Sequence, residues 1–323
     1  MMPSVTVVVS IFNGSKFIEG AIRYLGQQEY RDFEVIFVVD LKTNDDTMEK
    51  IETFAKVLSD YKVIMQNDKD GLAGARNIGL DAAVGKYVWF MDVDDRPYPD
   101  FLSIMVKLVE DNDADMSTCN YIRSLDREIE EIDKKFKVKV MDREQTMKGL
   151  MSDKVPVVTW SKLIRTEFLR NNGLRFCPGF AEDIEHTYRM MNVCSKTVYC
   201  SKPLYVYHQN PTSIVLSIGN KRGKEEVRVY RELIDEFQGT DMAERVGVKS
   251  AIMILRSSVH MDYETFREYI KSSEFREIGD KFLKNPVSLE YVCARISPKL
   301  YYLGLHFYLK FFYYRDLRCY TKI

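Results

Sequence analysis

Several features that define other classes of protein are missing from this sequence. Its six cysteines form no CxxC pair and no regular framework, which argues against disulfide scaffolds and cysteine zinc sites. The formal net charge is −1, so no overall positive field attracts nucleic acid, and we expect no nucleic-acid partner. No run reaches the roughly 18 apolar residues of a membrane span. The first residues lack the pattern of a secretory signal, so we expect a cytoplasmic protein.

Two common nucleotide-binding motifs are also missing. The stretch GLAGARNIGL (71–80) has three glycines where a helix is predicted to begin, but it matches neither GxGxxG nor GxxxxGK[ST]. The sequence therefore does not favour a dinucleotide site or a P-loop ATPase. Arg76 in this stretch is suited to pairing with a phosphate or ordering a carboxylate. The alternative is a surface arginine on a helix that packs through its glycines.

The first hundred residues alternate regularly between apolar strands and amphipathic helices. Strands are predicted at 5–10, 33–40, 62–67 and 87–92, and helices at 15–27, 47–58 and 72–83. Short β-branched runs are typical of strands buried on both faces. This alternation predicts an α/β fold with a doubly wound, mostly parallel sheet flanked by helices. Thr43 or Asn44 is the expected cap of the second helix, and Gly85 the expected end of the third.

The remainder of the chain is less regular. We predict a strand at 114–121, an exposed charged excursion at 124–140, a strand leading into a helix at 159–171, and a helix at 182–193. Beyond Pro211 the apolar spacing becomes helical, with helices predicted at 222–238, 241–260, 264–282 and 298–314. We therefore expect two regions, a domain over 1–215 and a C-terminal helical extension over 216–323.

Asp92, Asp94 and Asp95 crowd together where the fourth strand ends, in WFMDVDDRPYPD (89–100). Carboxylates this close repel one another and raise each other's pKa unless a cation lies among them. Doubly wound sheets bind ligands at the carboxyl ends of their strands, and Mg²⁺ or Mn²⁺ prefers carboxylate and phosphate oxygens. Asp92 and Asp94 are therefore candidate metal ligands. The alternative is a solvated turn shaped by Pro97 and Pro99.

Two later stretches carry further polar candidates. Glu182 and Asp183 begin a predicted helix, where the helix dipole favours carboxylates without any chemistry. His208 follows a strand-like run in LYVYHQNPTS and is a candidate phosphate or metal contact. A lone histidine is more often structural, so neither stretch identifies a function by itself.

Seven segments, taken in order, carry a resemblance to a known family. The sequence resembles the family 2 glycosyltransferases, which have the GT-A fold. The resemblance covers roughly residues 3–216. The matching segments are VVVSIFN (7–13), QEYRDFEVIFVVDLKTND (28–45), ARNIGL (75–80), FMDVDDRPYPD (90–100), WSKL (160–163), the pair Glu182–Asp183, and PLYVYHQNPTSI (203–214).

The resemblance implies an inverting transferase that uses a nucleotide-activated sugar, with a UDP-sugar as the first expectation. Nucleotide-sugar binding is then expected within about residues 1–100 and the acceptor side within about 101–215. Asp94, helped by Asp92, would bind Mn²⁺ or Mg²⁺, and Asp183 would deprotonate the acceptor hydroxyl. The nucleotide pocket would be lined by Ser10, Phe12, Asp40 and Arg76.

One position departs from the family pattern. The family usually has two acids after the second strand, and the second contacts the base in relatives that use uridine nucleotides. Here that position is Leu41, followed by Lys42. GDP and dTDP therefore stay open as donors, and so does a carbohydrate-binding scaffold on an inactive transferase fold. A sugar nucleotidyltransferase is the other enzyme class, but SIFNGSKF lacks its usual Gly-rich, Arg-Lys loop after the first strand.

The C-terminal residues 299–323 combine five Lys or Arg and nine Tyr or Phe with a single Asp. This mixture suits a membrane interface, and the alternative is a core helix that closes the C-terminal bundle. The resemblance adds that many relatives extend lipid-carried glycans at the cytoplasmic leaflet. We therefore expect a protein peripheral to the inner face of the plasma membrane, acting on a glycan or lipid-linked acceptor in surface polysaccharide biosynthesis.

Overall fold

The computed structural model describes residues 3–67, 70–126, 136–209, 219–284 and 288–308. The chain divides into two compact units, whose described parts are residues 3–209 and 219–308. The first unit contains the sheet. The described residues of the second unit form helices joined by short turns.

The first unit is built on a sheet of nine strands, counted over the described residues. They are β1 (Val5–Ile11), β2 (Phe33–Asp40), β3 (Tyr61–Gln66), β4 (Tyr87–Asp92), β5 (Arg96–Pro97), β6 (Met116–Ser124), β7 (Val138–Asp142), β8 (Lys162–Arg165) and β9 (Lys196–His208). Their order is β3-β2-β1-β4-β8-β6-β9-β5, and β7 also pairs with β9. The first four are parallel neighbours, β8 is antiparallel to β4 and β6, and β6 is parallel to β9.

Helices flank this sheet. They are α1 (Ile18–Gly26), α2 (Thr47–Phe54), α3 (Gly71–Ala82), α4 (Phe101–Asp111), α5 (Arg143–Met151), α6 (Thr166–Asn171) and α7 (Glu182–Val193). The side chains of β1 and β2 are buried on both faces of the sheet. Full burial of one Val, Ile or Phe contributes about 1.5–3 kcal/mol, so these strands form the centre of the core. The predicted α/β fold with a mostly parallel sheet is confirmed.

Strand register brings the polar strand ends together. Ser10 on β1 lies opposite Val38 on β2 and Asp92 on β4. Asp40, at the end of β2, lies opposite Gln66 on β3. Parallel strands end at the same edge of a sheet, so three predicted site residues share that edge.

The start of α2 differs from the prediction. Neither Thr43 nor Asn44 caps it, because the N-cap residue is Asp46, whose side chain makes no capping bond. The amide and hydroxyl of Thr47 bond instead to the carboxylate of Asp45. A short acidic side chain that bonds to the backbone two residues on is a common turn device.

The excursion predicted at 124–140 is partly strand. Residues 127–135 lie outside the described residues, but β7 follows them and pairs antiparallel with β9. Four of the five β7 side chains are exposed. A strand with so few buried side chains lacks the alternating pattern that would identify it in the sequence.

The described part of the second unit contains six helices. They are α8 (Gly219–Glu236), α9 (Ala243–Ser258), α10 (Tyr263–Lys271), α11 (Ser273–Phe282), α12 (Leu289–Ile296) and α13 (Pro298–Tyr308). The single helix predicted at 264–282 is wrong, because Ser272 is extended and its hydroxyl accepts from the Phe275 amide at the start of α11. No predicted helix corresponds to α12. The last predicted helix is confirmed up to residue 308, and its remainder, 309–314, lies outside the described residues.

None of the helices formed by the described residues is both long enough and apolar enough to cross a bilayer.

Gly85 has a different role from the one predicted. The helix α3 ends at an extended Ala83, so Gly85 is not its terminator. Gly85 instead lies against β1, where an added Cβ would be 2.5 Å from the Thr6 nitrogen and 2.7 Å from the Val5 carbonyl carbon. Backbone atoms cannot rotate away, so glycine is required by close approach.

We expect Gly85→Ala to lower the free energy of unfolding by about 1–3 kcal/mol, because it overpacks the contact with β1. The matched control is Gly304→Ala in α13, where nothing lies within 4 Å of an added Cβ. That variant should be neutral or more stable by up to about 1 kcal/mol, since alanine favours helices. Urea unfolding measures both, and equal effects would contradict the close approach at Gly85.

Candidate active site

The acidic stretch after β4 forms a tight loop. Asp92 and Asp94 are partly exposed, whereas Asp95 is completely buried. The Asp95 amide donates to the Asp92 carbonyl (3.3 Å), and the Asp95 carboxylate accepts from the His208 amide (2.9 Å). Asp95 therefore anchors the loop to the end of β9, at His208.

The loop concentrates negative charge. Burial raises the pKa of Asp95 well above its usual range, and the neighbouring Asp94 and Asp92 raise it further. Over the residues that the structure describes, no group of three or more His, Cys, Asp or Glu side chains could hold a metal ion by itself. The donor set nevertheless suits a divalent ion, because Mg²⁺ is usually held by one or two carboxylates together with substrate phosphates.

Arg76 joins the end of β4 to the start of α7. Its side chain is 3% exposed; Nη1 donates to Glu182 Oε1 (2.6 Å) and Nη2 to Asp92 Oδ1 (3.0 Å). Burial alone would lower the pKa of Arg76, but the facing carboxylates outweigh it and raise the pKa above its usual range. Of the alternatives for Arg76, the structure shows the one in which it orders carboxylates. Its contact with a nucleotide stays a prediction.

Aromatic rings support this arginine. The Arg76 guanidinium lies 5.3 Å from the centroid of Phe176, and the His186 ring stacks on Phe176 at 3.8 Å. The Asn77 side chain donates to the Phe176 carbonyl (2.8 Å) and accepts from its amide (3.0 Å). Burial lowers the pKa of His186 to about 3, so it packs as a neutral aromatic ring. The Arg-Asn pair of α3 thus fixes the segment around Phe176.

Asp183 lies in the first turn of α7, beside Glu182. The preceding Ala181 has a left-handed backbone (φ 69°), which costs a non-glycine residue about 1–2 kcal/mol. Burial raises the pKa of Asp183 to about 7 with help from Glu182, while Arg76 opposes the rise. A carboxyl group that titrates near neutral pH is suited to accepting a proton from a hydroxyl.

The other predicted pocket residues lie at the ends of β1 and β2. The Ser10 hydroxyl is buried and makes no hydrogen bond within the described part of the chain. Phe12 and Leu41 are more than half exposed. The Asp40 carboxylate accepts from the Lys42 amide (2.8 Å). Leu41 thus presents an apolar side chain where the family pattern has an acid.

Two buried residues of the first unit, Lys162 and Trp160, have no role predicted from the sequence. Lys162 has no exposed surface, and its ammonium donates to the carbonyls of Pro156 (2.7 Å) and Val158. Trp160 stacks on Tyr205, with ring centroids 4.5 Å apart. Both belong to the WSKL motif. The sequence signal for Lys162 is its place within the strand predicted at the start of 159–171.

A model of the family described as glycosyl transferase family 2 matches residues 6–171. The chain belongs to glycosyl transferase family 2. The glycosyltransferase GlyG of Streptococcus pneumoniae is 25% identical over 298 residues, which cover 87% of this chain and 94% of GlyG. The GalNAc(5)-diNAcBac-PP-undecaprenol beta-1,3-glucosyltransferase of Campylobacter jejuni is 36% identical over 107 residues, covering 33% of this chain and 34% of that enzyme.

The fold of this family 2 chain is shared with TarS of S. aureus, whose residues 1-349 have been crystallised in complex with UDP-GlcNAc. The TM-score is 0.69 at 18% identity, covering 95% of this chain and 91% of the TarS chain. The family match makes this chain a glycosyltransferase, and it favours that prediction over a sugar nucleotidyltransferase.

We expect Arg76→Met to lower the free energy of unfolding by about 3–5 kcal/mol, because it leaves Glu182 and Asp92 charged without their cation. The matched control is Arg175→Met. Arg175 is 46% exposed and pairs with the exposed Asp81, and a surface pair of this kind contributes about 0–1 kcal/mol. Urea unfolding compares the two variants. A small loss in both would contradict the structural role of Arg76.

Proposed function

We propose that this family 2 chain is an inverting, metal-dependent glycosyltransferase that moves a sugar from a UDP-sugar to a hydroxyl of a glycan or lipid-linked acceptor. The observation that carries the proposal is the pair of bonds made by Arg76. One guanidinium bonds to Asp92, at the predicted metal-binding loop, and to Glu182, the neighbour of the predicted base. The donor side and the acceptor side are thus held by one side chain.

On the donor side, Asp94 and Asp92 would hold Mn²⁺ or Mg²⁺, while Asp95 keeps their loop in place. When bound, the ion would neutralise the charge that develops on the departing diphosphate. His208 is held at this loop through its amide, which supports the predicted phosphate contact. Ser10, Phe12, Asp40 and Arg76 are the proposed nucleotide pocket. The UDP-GlcNAc complex of TarS, which shares the fold, supports UDP as the first choice.

On the acceptor side, the Asp183 carboxylate accepts the proton of the acceptor hydroxyl. The hydroxyl oxygen forms a bond to the anomeric carbon as the bond from that carbon to the diphosphate oxygen breaks. A single displacement of this kind inverts the anomeric configuration, as in inverting glycoside hydrolysis. The base must be deprotonated, so activity should rise as the pH increases through the Asp183 pKa of about 7.

The proposed acceptor is lipid-linked, and the proposed process is surface polysaccharide biosynthesis. The relative from C. jejuni is named for a PP-undecaprenol acceptor, and its similarity to this chain covers 33% of the residues here. A lipid-linked acceptor requires the enzyme to work at a membrane surface. We therefore place the protein in the cytoplasm, peripheral to the inner face of the plasma membrane.

The helix α13 offers a surface for that contact. Leu300, Leu303 and Phe307 are 72%, 52% and 56% exposed, and their spacing of three and four residues places them on one helix face. The following residues, 309–323, add four Lys or Arg against one Asp. Exposed apolar groups next to basic ones suit an anionic lipid surface, where each basic residue contributes about 1 kcal/mol.

Leu300→Asp combined with Phe307→Asp should remove most co-flotation with vesicles that contain phosphatidylglycerol, because charge replaces the apolar face. Val57→Asp is the control, since Val57 is equally exposed on the other unit. Phosphatidylcholine vesicles should bind the wild type more weakly. Unchanged flotation of the double variant would contradict membrane contact here, and loss of a dimer in gel filtration would assign the face to a second copy.

Thermal melting with UDP, GDP, dTDP and CMP, each with and without Mn²⁺, tests the donor site. A ligand that binds only the folded state raises the melting temperature by mass action. We expect a Mn²⁺-dependent rise with UDP that is lost in Asp94→Ala and kept in the surface control Asp111→Ala. A preference for GDP or dTDP would revise the donor. No rise with any nucleotide would favour the scaffold alternative. Leu41 would then be the first residue to replace with the acid of the family pattern.

Asp183→Asn should keep the Mn²⁺-dependent rise in melting temperature with UDP and lose sugar transfer, because it removes the proton acceptor but not the donor site. Release of UDP from UDP-GlcNAc, with water as the acceptor, measures the loss. Near-normal release by this variant would show that another residue is the base.

A further inference from the structure

Lys162 begins β8 and has no exposed surface. A lysine is almost never fully buried unless it is paired. The two acceptors of its ammonium, the carbonyls of Pro156 and Val158, are neutral. Neutral acceptors alone do not compensate for the desolvation of a charge, so a charged Lys162 also requires an anion nearby.

The anion that acts on Lys162 is Asp183. Burial lowers the pKa of Lys162 to about 7, while Asp183 on α7 and the Cys119 thiol on β6 oppose the decrease. Lys162 in turn acts on Asp183 as a cation. The buried Lys162 and the partly exposed Asp183 therefore interact as groups of opposite charge, although no direct hydrogen bond joins them in the described residues.

Four charged groups face Asp183 from the elements around it. Glu182 lies on the same helix and Asp92 at the end of β4, and both raise the pKa of Asp183. Arg76 on α3 and Lys162 on β8 lower it. Arg76 already bonds to both of those acids. Among these carboxylates, Asp183 is the one whose charge acts on Lys162.

Lys162 also fixes the backbone next to α7. The segment 156–158 has its three carbonyls bonded by side chains: Lys162 holds the first and third, and Thr187 Oγ1 donates to that of Val157 (2.6 Å). Thr187 lies four residues after Asp183, so the two share one face of α7. The segment is therefore attached to the helix face that carries the proposed base.

We propose that Lys162 is a positioning residue for Asp183: its ammonium fixes residues 156–158 on the Asp183 face of α7 and keeps a positive charge beside the carboxylate that takes the acceptor proton. The inference rests on the proposed role of Asp183 as the base. Lys162 touches neither donor nor acceptor in this scheme. It acts through the ionisation and placement of Asp183.

The direction of the expected effect follows from the charges. A neighbouring cation favours an ionised carboxylate, so removing it raises the pKa of Asp183. The acid side of the pH–rate profile should then move to higher pH. A purely structural role would lower the melting temperature and the rate, but it would not move the profile.

Lys162→Met removes the charge and both carbonyl bonds, whereas Thr187→Val removes one bond to the same segment and leaves the charge. The rate of UDP release from UDP-GlcNAc with Mn²⁺ is measured from pH 5 to 9. Lys162→Met should raise the midpoint of the acid side by about one pH unit, which is about a tenfold loss of rate below the midpoint. Thr187→Val should lower the rate without moving the midpoint. An unmoved midpoint in a folded Lys162→Met would overturn the proposal.

NMR titration of protein labelled with ¹³C at the lysine ε-carbons tests the pair without a Lys162 variant. We expect one lysine resonance that titrates near neutral pH in the wild type. In Asp183→Asn it should titrate at lower pH, because the anion that stabilises the ammonium is gone. The same titration in both proteins would overturn the proposal.

The two proposals fail in different ways. If the Asp183→Asn variant still releases UDP, Asp183 is not the base, and the proposed function is contradicted at this residue. An inactive Asp183→Asn, together with an unmoved midpoint in Lys162→Met, overturns only the role of Lys162.

Discussion

The bonds from Arg76 to Asp92 and Glu182 are the interaction on which the candidate site depends. The two carboxylates are 16 and 106 residues away from Arg76 along the chain, and the guanidinium brings the end of β4 to the start of α7. A buried arginine is stable only with such partners, because desolvation of its charge otherwise costs several kcal/mol. The planar fork of the guanidinium also fixes the angle between the two acids. The first unit can therefore place a strand-end loop and a helix terminus next to each other with little freedom.

Excess negative charge is the second constraint on this region. The stretch after β4 and the start of α7 carry five acids, Asp92, Asp94, Asp95, Glu182 and Asp183, and the buried cations that act on members of this set are Arg76 and Lys162. Part of the excess negative charge is removed at Asp95, because burial raises its pKa and favours its neutral form. Another part appears as the raised pKa of Asp183. A divalent ion at the accessible carboxylates would relieve the rest, and it would supply the positive charge that the donor diphosphate requires.

The sheet could be predicted from the sequence because burial on both faces leaves a direct mark, the short β-branched runs of β1 and β2. Hydrogen bonds and ion pairs between single side chains that are far apart in the sequence produce no comparable sequence pattern. Glu182 and Asp183 looked like ordinary helix-start acids, and only the family resemblance gave Asp183 a role. The bond from Arg76 to Glu182 was not predictable from spacing. The burial of Lys162 is not predictable from the sequence, because a lysine is expected at the surface unless its partners are known.

The most direct measurement is the anomeric configuration of the sugar first released from the proposed UDP-sugar donor, with α-configured UDP-GlcNAc as the probe, followed by ¹H NMR before mutarotation. A single displacement with Asp183 as the base predicts that the β-anomer appears first and that the α-anomer grows in later. Initial release of the α-anomer would contradict the single displacement and the proposed role of Asp183 as its base.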